Sequence, residues 1–246
     1  MSAGATHPDE ARFTASGALA IVIAGWVGFG LVHGLIRLAF EHSLSPADSL
    51  EMIAAQEYRF SYRAAQPPLF TWVLWASNQV FGPTQFSLQL VKYAIMLIAG
   101  VLFYLAGLAA TANRALSLMS SFATLLLFNV GLSIHDQSTH SIALIATLGG
   151  LVYGYALLAR APGFAAYAVI AVAMIAGFLS KHSFGVIALA MPMALTFDRN
   201  LRTRILNRQF AIMLLVVLAV LAPFVMWMLY NRADAASRLS TTIYVA

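Results

Sequence analysis

QFAIMLLVVLAVLAPFVMWMLY, residues 209–230, runs for twenty-two positions without an Asp, Glu, Lys or Arg. About 20 apolar residues in a helix cross the roughly 30 Å hydrocarbon core of a bilayer, and hydrocarbon offers a backbone no other way to pair its polar groups. Working outward from it, residues 138–159 and 162–180 are equally free of formal charge, and 17–40, 88–110, 115–134 and 182–198 complete a set of seven apolar runs, the sixth being the shortest. The composition agrees: 61% of the 246 residues are hydrophobic and 9% charged, against about 25% charged in soluble domains. The expectation is an all-α integral membrane protein of about seven transmembrane helices, which excludes the soluble α/β enzyme classes. With no cysteine there is neither a disulfide framework nor a thiolate nucleophile.

The net charge of +5 does not point to nucleic acid, because the basic residues sit in short connections between spans, where they set orientation. Alternate connections collect Arg114, then Arg160, then Arg199, Arg202, Arg204 and Arg208. The positive-inside tendency puts these and residues 1–16 in the cytoplasm, with the membrane domain at 17–230 and the tail 231–246 outside. The first apolar run is too long for a signal-peptide core and reads as an uncleaved anchor. A multi-pass protein of a bacterial inner membrane with its acidic face extracytoplasmic is the expected location. A transporter would place ionisable groups near the midplane, whereas here they crowd the outer ends.

The connection 41–87 is the long one, and long loops in an otherwise economical chain carry function. Within it Ser45-Pro46-Ala47-Asp48 has the form of a helix start: a Ser N-cap, Pro at the first position and a carboxylate near the positive end of the dipole. Leu50, Ile53 and Ala54 would form its apolar face, leaving Glu51 and Glu57 in solvent. Asp48 reads locally as a capping residue or as a catalytic carboxylate. Residues 69–82, flanked by Pro67, Pro68 and Pro83, are too few to span and suit a second short interfacial helix.

An acidic residue opening a short helix, followed by Gln66-Pro67-Pro68-Leu69-Phe70-Thr71-Trp72, resembles the first outer loop of family-39 glycosyltransferases. These are the superfamily-C enzymes that include protein O-mannosyltransferases and aminoarabinose transferases. Phe81-Gly82-Pro83 before the second span, with Lys92 where an Arg is usual, His135-Asp136, and Leu179-Ser180-Lys181-His182 extend the likeness. The resemblance implies inverting transfer of a sugar from a polyprenyl-phosphate donor to an extracytoplasmic lipid, glycan or protein. Asp48 and Asp136 would be the catalytic carboxylates, and Gln66, Lys92, Lys181 and His182 would meet substrate. Family chains usually continue for as many residues again, so the chain resembles an N-terminal half. A catalytically incomplete fragment, a non-catalytic membrane subunit, or a fold completed by a second polypeptide are the accompanying alternatives.

A phosphate leaving group is already a good anion, so the transfer needs one base and cations rather than the acid–base pair of glycoside hydrolysis. Asp48 is the expected base, with Lys92 and Lys181 on the donor phosphate; both lysines could equally be anchors that snorkel to the interface. Asp136, in a tight connection between uncharged spans, is expensive there unless paired, and either supports the reaction or caps the fourth span. His135, His140 and Asp136 offer a divalent metal two imidazoles and one carboxylate, short of a firm ligand set. No cofactor is assigned. His33 and Arg37 share a face of the first span. Phe70, Trp72 and Trp75 are expected to seat the short helix rather than stack on sugar.

Overall fold

The computed structural model describes residues 14–41, 43–62, 66–131 and 139–231, and the regular elements among them are helices. In chain order these are α1 (Ala15–Phe40), α2 (Pro46–Ala54), α3 (Leu69–Phe81), α4 (Gln85–Thr111), α5 (Arg114–Ala123), α6 (Phe128–Gly131), α7 (Thr139–Arg160), α8 (Phe164–Ser180), α9 (Phe184–Leu195), α10 (Arg199–Ile205) and α11 (Arg208–Tyr230). The protein is an all-α membrane protein. Helices α1, α4, α7 and α11 are long and apolar enough to cross a membrane. The other three apolar runs are helical but shorter: α8 has 17 residues and α9 has 12.

The run 115–134 does not form one continuous helix. After α5 the backbone tightens into a 3₁₀ turn, Thr124–Leu126, and Leu127 is extended before α6 begins. The Thr124 hydroxyl donates to the Ser121 carbonyl at 2.7 Å, a local bond that competes with the helical ladder. Hydropathy does not register that competition.

Two ends of the bundle can be told apart by contacts. At one, Gln85 at the start of α4 donates its side-chain N–H to the Arg37 carbonyl near the end of α1. At the other, Arg160 donates to the Leu108 carbonyl late in α4, and Arg204 donates to the carbonyls of Leu158 and Ala159 at the end of α7. Helices α4 and α7 are therefore parallel, with α1 and α8 running against them. The chain returns between them through α5, whose Ser117 and Ser121 meet α4 at Gly107 and Gly100.

The α1–α4–α5 junction needs a glycine. A Cβ at Gly100 would run into the indole of Trp26, whose Nε1–H donates to Ser121 Oγ at 3.0 Å while that hydroxyl donates to the Gly100 carbonyl at 2.8 Å. One apolar cluster (Val22, Trp26, Met96, Tyr104, Ile142) fills this junction, and a second (Leu151, Tyr155, Ile170, Phe184, Phe210) joins α7 and α8 to α9 and α11. A third (Met52, Ala55, Phe70, Leu74, Leu88, Val91) clamps α2 and α3 onto the beginning of α4. Gly82, at φ +73°, makes the left-handed turn that sends α3 into α4, a conformation glycine adopts at little cost.

Candidate active site

The third cluster sets the orientation of α2. Ser45 caps the helix, its Oγ accepting the Asp48 N–H at 3.2 Å, so the Asp48 carboxylate is not spent on the cap. Both of its oxygens lie 2.7 Å from the Lys92 ammonium, and the two residues are 0% and 1% exposed. Lys92 stands two turns into α4 with its head turned into the protein toward Asp48, which is not the posture of a lysine that snorkels to the interface. A carboxylate and an ammonium so deeply buried each cost several kcal/mol of desolvation unless matched to one another, which the hydrogen bond to Oδ2 and the equally close ion contact with Oδ1 achieve.

The expected apolar face of α2 is turned outward. Leu50 and Ile53 are exposed, whereas Asp48, Glu51 and Met52 are buried. In a bilayer setting, lipid accepts aliphatic side chains that water would reject, and charged ones seek the protein interior. Glu51 is consequently not solvated: it accepts the Thr71 hydroxyl of α3 at 2.7 Å on Oε2, and its Oε1 meets His140 Nε2 of α7 at 3.1 Å. The Phe70 ring packs beside this imidazole, centroids 5.9 Å apart. Thus α2 carries two carboxylates, one turn apart, and each is met by a nitrogen from a different long helix.

The supporting contacts fix α3 and its approach. Asn78 donates to the Ala55 carbonyl at 3.2 Å and accepts from Ser87 Oγ at 2.8 Å. Trp72 donates to the Arg59 carbonyl at 2.9 Å and Trp75 packs on Tyr58, so these indoles hold the loop that follows α2. Burial, aided among lesser causes by the Glu51 charge, pushes the Tyr62 phenol up from its ordinary range. Lys181, at the end of α8, donates to Ser141 Oγ at 3.0 Å, next in sequence to His140.

The sequence of residues 65–227 matches a family model described as dolichyl-phosphate-mannose-protein mannosyltransferase. The chain belongs to this family. Its relatives include two lipopolysaccharide core galacturonosyltransferases of Rhizobium johnstonii, RgtB and RgtA, at 24% and 25% identity over 203 residues, which is 82% of this chain in both cases. The aligned part covers 41% and 40% of those proteins, so the chain spans about two fifths of the relatives' length. No solved structure matches the chain. These matches bear out the resemblance to superfamily-C membrane glycosyltransferases.

Within the mannosyltransferase-family match lie Gln66, Lys92, His140, Lys181 and His182, whereas α2 with Asp48 and Glu51 precedes it. The membership of α2 in the site rests on its contacts. The structure brings Asp48, Glu51, Thr71, Lys92 and His140 together and puts Lys181 at the edge through Ser141. His182 is exposed beside Lys181, and the Gln66 side-chain oxygen is buried without a hydrogen bond just ahead of Pro67. His33 bonds its own helix at the Phe29 carbonyl, and Arg37 pairs with Glu41. Asp136 and His135 lie outside the described residues, as does Arg63. Among the described residues no three His, Asp or Glu side chains converge as a metal set; His140 is engaged by Glu51.

Proposed function

We propose that the chain moves a sugar from a polyprenyl-phosphate donor to an acceptor on the extracytoplasmic side of a membrane. The observation that carries this reading is the buried Asp48–Lys92 pair at the head of a helix long and apolar enough to cross a membrane. Family membership supports a lipid-linked donor, and the likeness to two lipopolysaccharide core galacturonosyltransferases supports a lipid-borne glycan as acceptor. In the resting site Lys92 neutralises Asp48. An arriving donor phosphate competes for the same ammonium, with Lys181 as the second cation, and this frees the carboxylate to take the acceptor's hydroxyl proton. The anomeric carbon then bonds the acceptor oxygen while the electron pair of the breaking bond leaves on phosphate. The base would thus be released only when the donor is present. Asp136 is proposed to orient donor or acceptor.

Asp48→Asn in membranes of the source cells tests the assignment. A base should cost about 100-fold or more in transfer rate. Because the exchange also strands a buried lysine, the double variant Asp48→Asn with Lys92→Met is measured beside it. Transfer near the native rate in either variant, with the protein present in normal amount, would show that the carboxylate serves only to hold the fold.

A further inference from the structure

The seam between α1 and α4 is tight at its floor and open along its side. Tyr93 of α4 lies over Gly30 and Gly34 of α1, where an added Cβ would come within 2.9 Å and 3.4 Å of it. Beside this contact a groove of about 270 Å³ extends from Phe86 and Leu38, at the end of the bundle that carries α2, inward to Leu97 and Trp26. Along α1 it covers about 18 Å of helix. Its lips are aliphatic and face outward, Leu31 and Leu35 being 59% and 63% exposed. Because α1 and α4 are both long and apolar enough to cross a membrane, a side opening of this kind meets lipid rather than water.

One wall residue does not suit hydrocarbon. Gln89 lines the groove one turn into α4, at the α2 end, and is 2% exposed, yet neither its Oε1 nor its Nε2 has a hydrogen-bond partner among the described residues. Gln85, one turn earlier, shows the ordinary use of such an amide, since it donates across the same seam to the Arg37 carbonyl. An amide buried beside hydrocarbon is costly unless it is paired, and buried polar atoms are seldom left open.

We propose that the α1–α4 groove is a lipid site that seats one acyl chain bearing a β-hydroxyl, the chain's carbonyl accepting from Gln89 Nε2 and its hydroxyl donating to Gln89 Oε1. Rotation about the soft terminal torsion of the glutamine turns its amide to the chain. The layout suits such a chain from end to end, with the polar pair at the end of the groove nearest the helix termini and only apolar walls further in. An isoprenoid chain has no hydrogen-bonding group and would leave both amide atoms unmet. A plain acyl ester offers an acceptor to Nε2 and nothing to Oε1. A plain N-acyl group turns its N–H and its carbonyl to opposite sides and meets one atom at a time. The site goes beyond the sugar-transfer reading and does not depend on it, and Lys92, on the same helix, turns instead to Asp48 on α2.

The test uses the full chain purified into phosphatidylcholine nanodiscs and two photoactivatable probes: palmitoyl ethanolamide with a diazirine at the far end of its chain, and the same compound with a β-hydroxyl. The hydroxylated probe is expected to label peptides containing Trp26 or Leu97 with about tenfold higher affinity, the gain that one net hydrogen bond gives. Gln89→Leu should reduce that preference to about one while thermal stability is kept or raised, since no protein partner is lost. Leu31→Trp, which fills the groove from its lip, should abolish labelling by both probes. Equal labelling by the two probes in the native protein overturns the proposal, as does a preference that persists in Gln89→Leu. A marked loss of stability in Gln89→Leu also overturns it, because the amide would then serve the fold. Displacement of the hydroxylated probe by polyprenyl phosphate as readily as by its own unlabelled form would give the groove to an isoprenoid chain. Dimers that Leu31→Trp dissociates would give it to a second copy of the protein, and either result overturns the assignment.

Discussion

Asp48 and Lys92 illustrate what a single residue pair can contribute in a chain with so few charges. Removing one partner of a buried pair leaves the other desolvated and unmatched, at about 3–5 kcal/mol, whereas removing both together is often nearly neutral. Lys92→Met is accordingly expected to destabilise the protein by about that amount. The double variant Lys92→Met with Asp48→Asn should recover most of the loss in thermal denaturation in detergent. Equal destabilisation by single and double variants would mean that the two side chains do not depend on one another. The sequence exposed both members of this pair readily, since an acid at a helix start and a lysine in an apolar run each stand out. It did not reveal their meeting, because forty-four positions separate them and local patterns carry no information at that range. Glu51 was harder still. Its only local signal is the three-residue spacing from Asp48, which would have placed both acids on one face had the helix been read by its charges rather than by its aliphatic residues.

At the scale of the element, α2 is an interfacial helix turned opposite to the soluble rule, and the misreading of its face has a physical cause. In water the aliphatic stripe would be buried; beside lipid the stripe can face outward while carboxylates find partners inside. Met52, 6% exposed and packed with Phe70 and Leu74, should cost about 2–5 kcal/mol when cut to Ala, while Ile53, 66% exposed, should cost about 0.5 or less. Thermal denaturation of the two variants decides it, and a reversed order would turn the helix back to the face that its sequence suggested. The break after α5 has the same lesson in another form. Hydropathy marks an apolar run from 115 onward, but at Thr124, whose hydroxyl bonds the Ser121 carbonyl, the α-helix gives way to a 3₁₀ turn.

Across the whole molecule, charge is segregated to the two ends of the bundle, and each end uses it differently. At one end Arg160 and Arg204 donate to carbonyls in the last turns of α4 and α7, so cations meet the negative ends of the helix dipoles. At the other, the carboxylates of α2 meet Lys92 and His140 near the beginnings of the same two helices. By the positive-inside tendency we propose that the arginine-bearing end faces the cytoplasm. If so, Glu57 in the loop after α2 and Thr203 in α10, both exposed, lie on opposite sides of the membrane. Since no cysteine is native, Glu57→Cys and Thr203→Cys each give a single reporter. A membrane-impermeant thiol reagent applied to intact cells should label the first and reach the second only after the membrane is opened. Labelling of Thr203→Cys in intact cells, with Glu57→Cys silent, would invert the protein, put the Asp48 site in the cytoplasm, and remove the extracytoplasmic acceptor from the proposed reaction.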